Sequence, residues 1–181
     1  MAIFTFTDFL IFTQATNVNE DAYATIAQGV LAYLKNQYGL YPESETITLR
    51  VFMEAGQTSI IPQAYPIESV YRIWYDDELL DDEQYTYYGE DIEFVTAFTD
   101  ARKPVTFELD VGFTDGAIPY DLKLAIYRHM QAVYYAIDKN TDNISKVINS
   151  DGNTTYFVND IIPLASKQTY EFYAGKYPAR S

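Results

Sequence analysis

Between Val105 and Ile137 the spacing of apolar residues changes from every second position to helical spacing, so a strand must hand over to a helix within one stretch. Val105, Phe107, Leu109 and Val111 alternate with polar residues, as one face of a half-buried strand does. The run Gly112 to Pro119 breaks that alternation. Pro119 suits the first helical position, where a missing N–H costs nothing, and Asp121 places negative charge in the first turn, where the helix dipole favours it. Leu122, Ala125, Ile126, Met130, Val133 and Ile137 then share one face, while Tyr127, Arg128, Gln131, Tyr134 and Tyr135 lie round the rest of the cylinder. Such a helix has one face for its own core and a tyrosine-rich remainder.

A chain of 181 residues with 48% hydrophobic content has ample material for a packed core, as one domain with appendages or as two small ones. Its formal net charge of −14 repels polyanions and argues against wrapping of nucleic acid. The sequence has no cysteine, which removes disulfides and thiolate zinc sites and fits an intracellular folding compartment. The opening MAIFTFTDFLIF lacks a basic leader and a small-residue cleavage site and is interrupted by Asp8, so it reads as folded structure rather than a signal peptide. No uninterrupted apolar run is long enough to span a bilayer.

In chain order, Phe4 to Phe12 reads either as a short strand followed by a helical turn, which the alternation of phenylalanine with threonine favours, or as a short helix capped by Thr7. Asn19 is a candidate N-cap for a helix to Tyr38, with Glu20 and Asp21 in its first turn and Gly39 placed to end it. Tyr23, Ile26, Ala27, Val30, Leu34 and Tyr38 form its apolar stripe, and the later helix is its expected packing partner. From Thr46 the signals are those of strands. Ile47 to Met53 and Thr58 to Ile61 flank an Ala55-Gly56-Gln57 turn and read as a hairpin closed by Pro62. Tyr71 to Tyr75, Tyr85 to Tyr88 and Ile92 to Val95 follow, separated by the acidic turns Asp76 to Glu78 and Asp81 to Glu83 and by Gly89 to Asp91. The fold class expected is α+β: a helical core of two principal helices with an inserted small antiparallel β-domain. The corresponding segments are residues 1–45, 46–113, 114–140 and a C-terminal tail, 141–181.

In that tail, Val147, Thr155, Phe157 and Val158 suggest one or two extended pieces around Ser150 to Asn153, and Ala165 to Tyr173 a short helix. Tyr170, Phe172, Tyr173, Lys176, Tyr177 and Arg180 give the end of the chain an aromatic and basic character suited to docking on another subunit. Tyr127, Arg128, Tyr134 and Tyr135, outside the core stripe, are the candidates for contacts between copies, since tyrosine is enriched at interfaces.

Signals for catalysis are sparse. His129, the one histidine, sits beside the apolar face of its helix with no serine or cysteine nucleophile motif to accompany it, so it reads as a core or interface residue. The acidic clusters match neither an EF-hand loop nor a paired-carboxylate signature and read as solvated turns. A glycine-rich phosphate loop and an HExxH motif are both missing, and no cofactor or metal is expected.

The order of these pieces carries a resemblance. Tyr65-Pro66-Ile67-Glu68-Ser69-Val70, the stretch Leu80 to Tyr85, the strand end Asp110-Val111-Gly112-Phe113 and the run Ile118-Pro119-Tyr120-Asp121-Leu122-Lys123-Leu124-Ala125-Ile126 follow one another as they do in the head-to-tail connector (adaptor) proteins of tailed bacteriophages, which this chain resembles from about Tyr65 to Ile137. It departs from them in its phenylalanine-threonine N-terminus and in lacking a basic end to the main helix. The resemblance implies a non-enzymatic virion protein of the neck, assembled in the host cytoplasm. It would form a homo-oligomeric ring, commonly dodecameric, beneath the portal protein, with a downstream tail or stopper protein below it, and DNA would pass through without specific binding. The C-terminal segment would reach the portal. Two alternatives stand beside it: a small β-sandwich module binding carbohydrate or protein through Trp74 and exposed tyrosines, and a tail completion or stopper protein. An acidic hydrolase using the carboxylates of Asp76 to Glu83 would need a cleft around them.

Overall fold

The computed structural model describes residues 3–14, 18–88, 91–114, 116–138, 145–148, 154–157 and 161–176; side chains are described for all of these except 138, 145–148, 154–157, 175 and 176. The fold is mixed α+β. It divides into a helical unit, built from residues 1–38 and 115–176, and a β unit holding Gly39–Thr114.

The helical unit begins with a helix, α1 (Phe6–Thr13), where the sequence favoured a strand. Thr5, not Thr7, is its cap: Thr5 Oγ1 accepts the N–H of Asp8 at 3.1 Å, and Gln14 closes the far end in the left-handed region at φ 54°. The phenylalanines decide the matter by packing at helical spacing. Phe6 and Phe9 both lie against Tyr23, while Phe12 stacks on Tyr127. Helix α2 (Glu20–Tyr38) is capped by Asn19, whose Oδ1 accepts from Ala22 N at 2.7 Å, and Gly39 follows it at φ +62°. Its buried residues are Tyr23, Ile26, Ala27, Val30 and Leu34, the expected stripe.

In the β unit a four-stranded antiparallel sheet has the order β1 (Glu45–Phe52), β7 (Pro104–Val111), β3 (Ile67–Tyr75), β4 (Glu78–Leu79). A three-stranded sheet has the order β2 (Ser59–Ile60), β6 (Asp91–Phe94), β5 (Tyr85–Tyr88). The predicted hairpin between Ile47–Met53 and Thr58–Ile61 does not form. The turn is present, with Gln57 N donating to Glu54 O at 3.1 Å, but its two arms go to different sheets, β1 to β7 and β2 to β6. Strand β7 is buried on its Val105, Phe107, Leu109 and Val111 face, and these pack with Ile73, Ile92, Phe94 and Phe98 in one core shared by both sheets. At its end Gly112 adopts φ +92° and donates its N–H to Pro66 O at 2.8 Å; a Cβ there would collide with the Glu43 carbonyl. Only glycine satisfies both demands.

Helix α3 (Tyr120–Asp138) is the centre of the helical unit, with α1, α2 and the last helix all packed on it. Pro119 lies one position ahead of the expected place, its carbonyl accepting from Lys123 N at 3.0 Å. Leu122, Ala125, Ile126, Met130 and Val133 are buried as expected. Two short strands, β8 (Ser145–Ile148) and β9 (Thr154–Phe157), pair antiparallel with Ser145 opposite Phe157. The Ser150 to Asn153 turn between them lies outside the described residues.

The last described helix belongs to the helical unit. Helix α4 (Leu164–Lys176) buries Ser166, Tyr170 and Tyr173 on one face, spaced i, i+4, i+7, against α3.

Candidate assembly surfaces

The seam between α3 and α4 is the chemically richest place in the helical unit. Ser166 Oγ donates to the Ala125 carbonyl at 2.9 Å, and Tyr170 Oη lies 3.1 Å from that same oxygen and 3.3 Å from His129 Nδ1. Tyr33 of α2 meets the histidine ring edge-on, and Tyr38 packs on Tyr170. One turn along, Tyr173 Oη donates to Asp121 Oδ1 at 2.7 Å. His129 is fully buried and its Nε2 has no hydrogen-bond partner among the described residues. Burial alone lowers its pKa to about 4, so the ring is neutral near pH 7. Burial likewise pushes the Tyr170 phenol well above its ordinary range. His129 thus joins the helices: its Nδ1 meets Tyr170 of α4, and Tyr33 of α2 packs edge-on against its ring.

This corrects several sequence expectations. Tyr170 and Tyr173 are buried at 0% and 5% exposure inside their own helical unit, which removes them from a docking surface. Tyr127 is withdrawn as a contact between copies, because Phe4 meets it edge-on and Phe12 stacks on it. Its phenol is raised by that burial and, secondarily, by the Asp8 carboxylate. The physical reason is the same in each case. Helix α3 is covered from several sides, so its buried arc is wider than one stripe. The i, i+4, i+7 spacing of Ser166, Tyr170 and Tyr173 was the signal available in the sequence.

What remains outward is a smaller set. Phe172 is 64% exposed and Leu164 71%, one above the other on the outer face of α4 with Gln168 between them. Arg128 and Tyr135 are exposed on α3 and Tyr134 half-buried. The side chain of Lys176, and Tyr177 and Arg180 altogether, lie outside the described residues.

In the β unit the acidic turns are exposed and structural. Asp76 and Asp77 take φ 52° and 67°, the conformation of a two-residue hairpin turn joining β3 to β4, and Lys103 Nζ pairs with Asp76 at 2.6 Å. Asp81 N donates to Gln84 Oε1 at 2.7 Å, and Asp82 Oδ1 accepts from Tyr85 Oη at 3.3 Å. Among the described residues no group of three or more acidic or histidine side chains converges as a metal site would. A shallow cleft of about 330 Å³ crosses the outer face of the larger sheet, lined by Thr48, Trp74, Asp77, Thr106 and Glu108. Among the described residues no helix is long and apolar enough to cross a membrane.

No protein-family model matches the sequence, and the comparison with curated proteins finds no match. Solved structures do match. A chain in the neck of the empty gene transfer agent (GTA) particle, computed with C6 symmetry, superposes with TM-score 0.59 at 16% identity, over 71% of this chain and 76% of that one. A chain in the virion of the native particle gives TM-score 0.61 at 14% identity, over 86% of this chain and 85% of that one. A chain in the neck of the native particle, computed with C12 symmetry, gives 0.62 at 13% identity, over 91% and 86%. The protein thus has the fold of chains found in the necks of gene transfer agent particles.

Proposed function

We propose that this chain is a non-enzymatic structural protein of a virion neck, a head-to-tail connector that forms a ring between the portal and the tail through which DNA passes. The observation that carries this reading is the fold shared, over most of both chains, with proteins in necks computed with C6 and C12 symmetry. Twelve copies is the stoichiometry we assign to the ring. Three properties of the chain support it. A net charge of −14 per copy neutralises no stretch of phosphates, so DNA slides past without sticking. A ring needs two different contact faces on each copy, and Arg128, Tyr134 and Tyr135 supply one of them. The outer face of α4, with Leu164 and Phe172 largely exposed, together with the segment carrying Tyr177 and Arg180, forms the contact with the portal. The downstream tail or stopper protein docks on the opposite side of the ring, and assembly takes place in the host cytoplasm.

The test is capture on portal rings. The parent protein is expected to bind, and Leu164→Asp combined with Phe172→Asp to lose binding by roughly tenfold or more while keeping its melting temperature, as for loss of an exposed apolar anchor. Undiminished capture of the double variant would overturn the assignment of this face.

The cleft beside Trp74 is the feature that favours a carbohydrate-binding module instead. That reading leaves the helical unit without a role. Binding on a glycan array by a protein that stays monomeric would favour it.

A further inference from the structure

Among the described residues the β unit has one long open edge. Strand β1 pairs with β7 over eight residues in unbroken register, from Glu45 opposite Val111 to Phe52 opposite Pro104, and among the described residues nothing pairs with its other side. The remaining edges are short or already engaged. Strands β2 and β4 are two residues each and β5, the outer strand of the smaller sheet, is four; on the free side of β3 the carbonyl of Ile67 accepts from Tyr87 Oη at 2.8 Å and that of Ile73 from Leu80 N at 2.9 Å. Long, regular, unblunted edges are templates for an added strand, and natural proteins seldom leave them uncovered. Side-chain burial points the same way. The inward residues Ile47, Leu49 and Val51 of β1 are only half-buried, whereas their partners Leu109, Phe107 and Val105 on β7 are fully buried.

The helical unit carries the complementary feature. Strands β8 and β9, four residues each, form a two-stranded sheet with β9 against α2, and among the described residues no third strand pairs with either edge, although sheets gain stability from three or more strands. Its strands, Ser-Lys-Val-Ile and Thr-Thr-Tyr-Phe, contain one cation and no acid, while β1 has Glu43 and Glu45 at its start, Glu54 just past its end and Arg50 between them.

We propose that the β8–β9 hairpin of one copy adds to the outer edge of β1 in a neighbouring copy, extending the four-stranded sheet to six strands across the subunit boundary. The inference rests on the ring reading above and names its second contact. Hairpin and edge are different surfaces, so the contact is heterologous and repeats in one direction round a ring until it closes. Main-chain hydrogen bonds supply the affinity, and alternate side chains beside Ile47, Leu49 and Val51 complete the core.

The absence of cysteine from the sequence makes the test clean. Copies carrying Thr46→Cys, Thr48→Cys or Arg50→Cys are mixed pairwise with copies carrying Lys146→Cys or Val147→Cys, which samples several registers and both faces of the hairpin strand. The mixtures are oxidised and run on non-reducing gels, with sedimentation of the same samples before oxidation. The expected result is a covalent dimer containing one copy of each kind in at least one pairing, missing when either variant is oxidised alone. Rings that sediment intact but give no mixed dimer in any pairing overturn the hairpin contact and leave the ring standing. A chain carrying both cysteines that closes on itself as a monomer overturns it too, by placing the hairpin on its own edge. Monomers throughout, with no mixed dimer, contradict both the contact and the ring.

Discussion

Tyr170 Oη lies 3.3 Å from His129 Nδ1, at the centre of the seam that joins the last helix to the central one. Whichever nitrogen carries the proton, Nε2 is left buried without a hydrogen-bond partner among the described residues, so a second proton on the ring has nowhere to be solvated. The folded pKa of about 4 lies below the ordinary value of about 6.5. The unfolded chain therefore binds the proton first as pH falls. Stability is full above about pH 6.5 and is lost progressively down to about pH 4, by on the order of 3 kcal/mol in total. Urea midpoints measured from pH 7.5 to 4 should show this slope, and His129→Phe should remove most of the difference. An unchanged slope in the variant would assign the acid sensitivity to other groups.

The core face of α3 predicts a large and simple effect. Ile126 is fully buried, and Ile126→Ala removes its burial and leaves a cavity, at a cost of roughly 2–5 kcal/mol. Thermal denaturation should show a melting temperature lowered by several degrees or an unfolded chain. A variant melting with the parent would contradict the packing described.

Two truncations separate folding from docking. Deleting Ser166 to Ser181 removes Tyr170, Tyr173 and the serine that bonds Ala125, and should collapse the melting temperature. Deleting only Tyr177 to Ser181 should leave far-UV dichroism and melting nearly unchanged while lowering capture on portal rings. If the long truncation melted like the parent, α4 would not belong to the helical unit.

The acidic turns should tolerate change. Asp81→Asn with Asp82→Asn is expected to alter stability by less than about 0.5 kcal/mol, because both side chains are exposed and the Gln84 bond to the Asp81 N–H survives. Loss of oligomer in the double variant would reveal an interface there.

What the sequence disclosed, and what it hid, follows from where each segment finds its partner. Helix α2 and strand β7 were legible because long periodic segments show which face is buried, and α3 showed its core stripe for the same reason. Helix α1 was not, since the Phe-Thr alternation at Phe4 to Thr7 suggests a strand and its helical identity is settled by packing on Tyr23 and Tyr127, outside the segment. The turn at Ala55 to Gln57 was recognised but its arms were paired wrongly, because the true partner of β1 lies beyond residue 100 and local turn chemistry carries no information about it. Tyr127, Tyr170 and Tyr173 were read as interface residues from their chemistry. Their burial depends on helices covering α3 from other sides, which the stripe of one helix does not reveal.

The claim that this chain builds a ring is tested most directly by its mass under native conditions, by sedimentation or native mass spectrometry, alone and mixed with portal rings. We expect a closed oligomer of twelve copies, formed alone at high concentration or on the portal. A chain that remains a monomer in both samples would contradict the account.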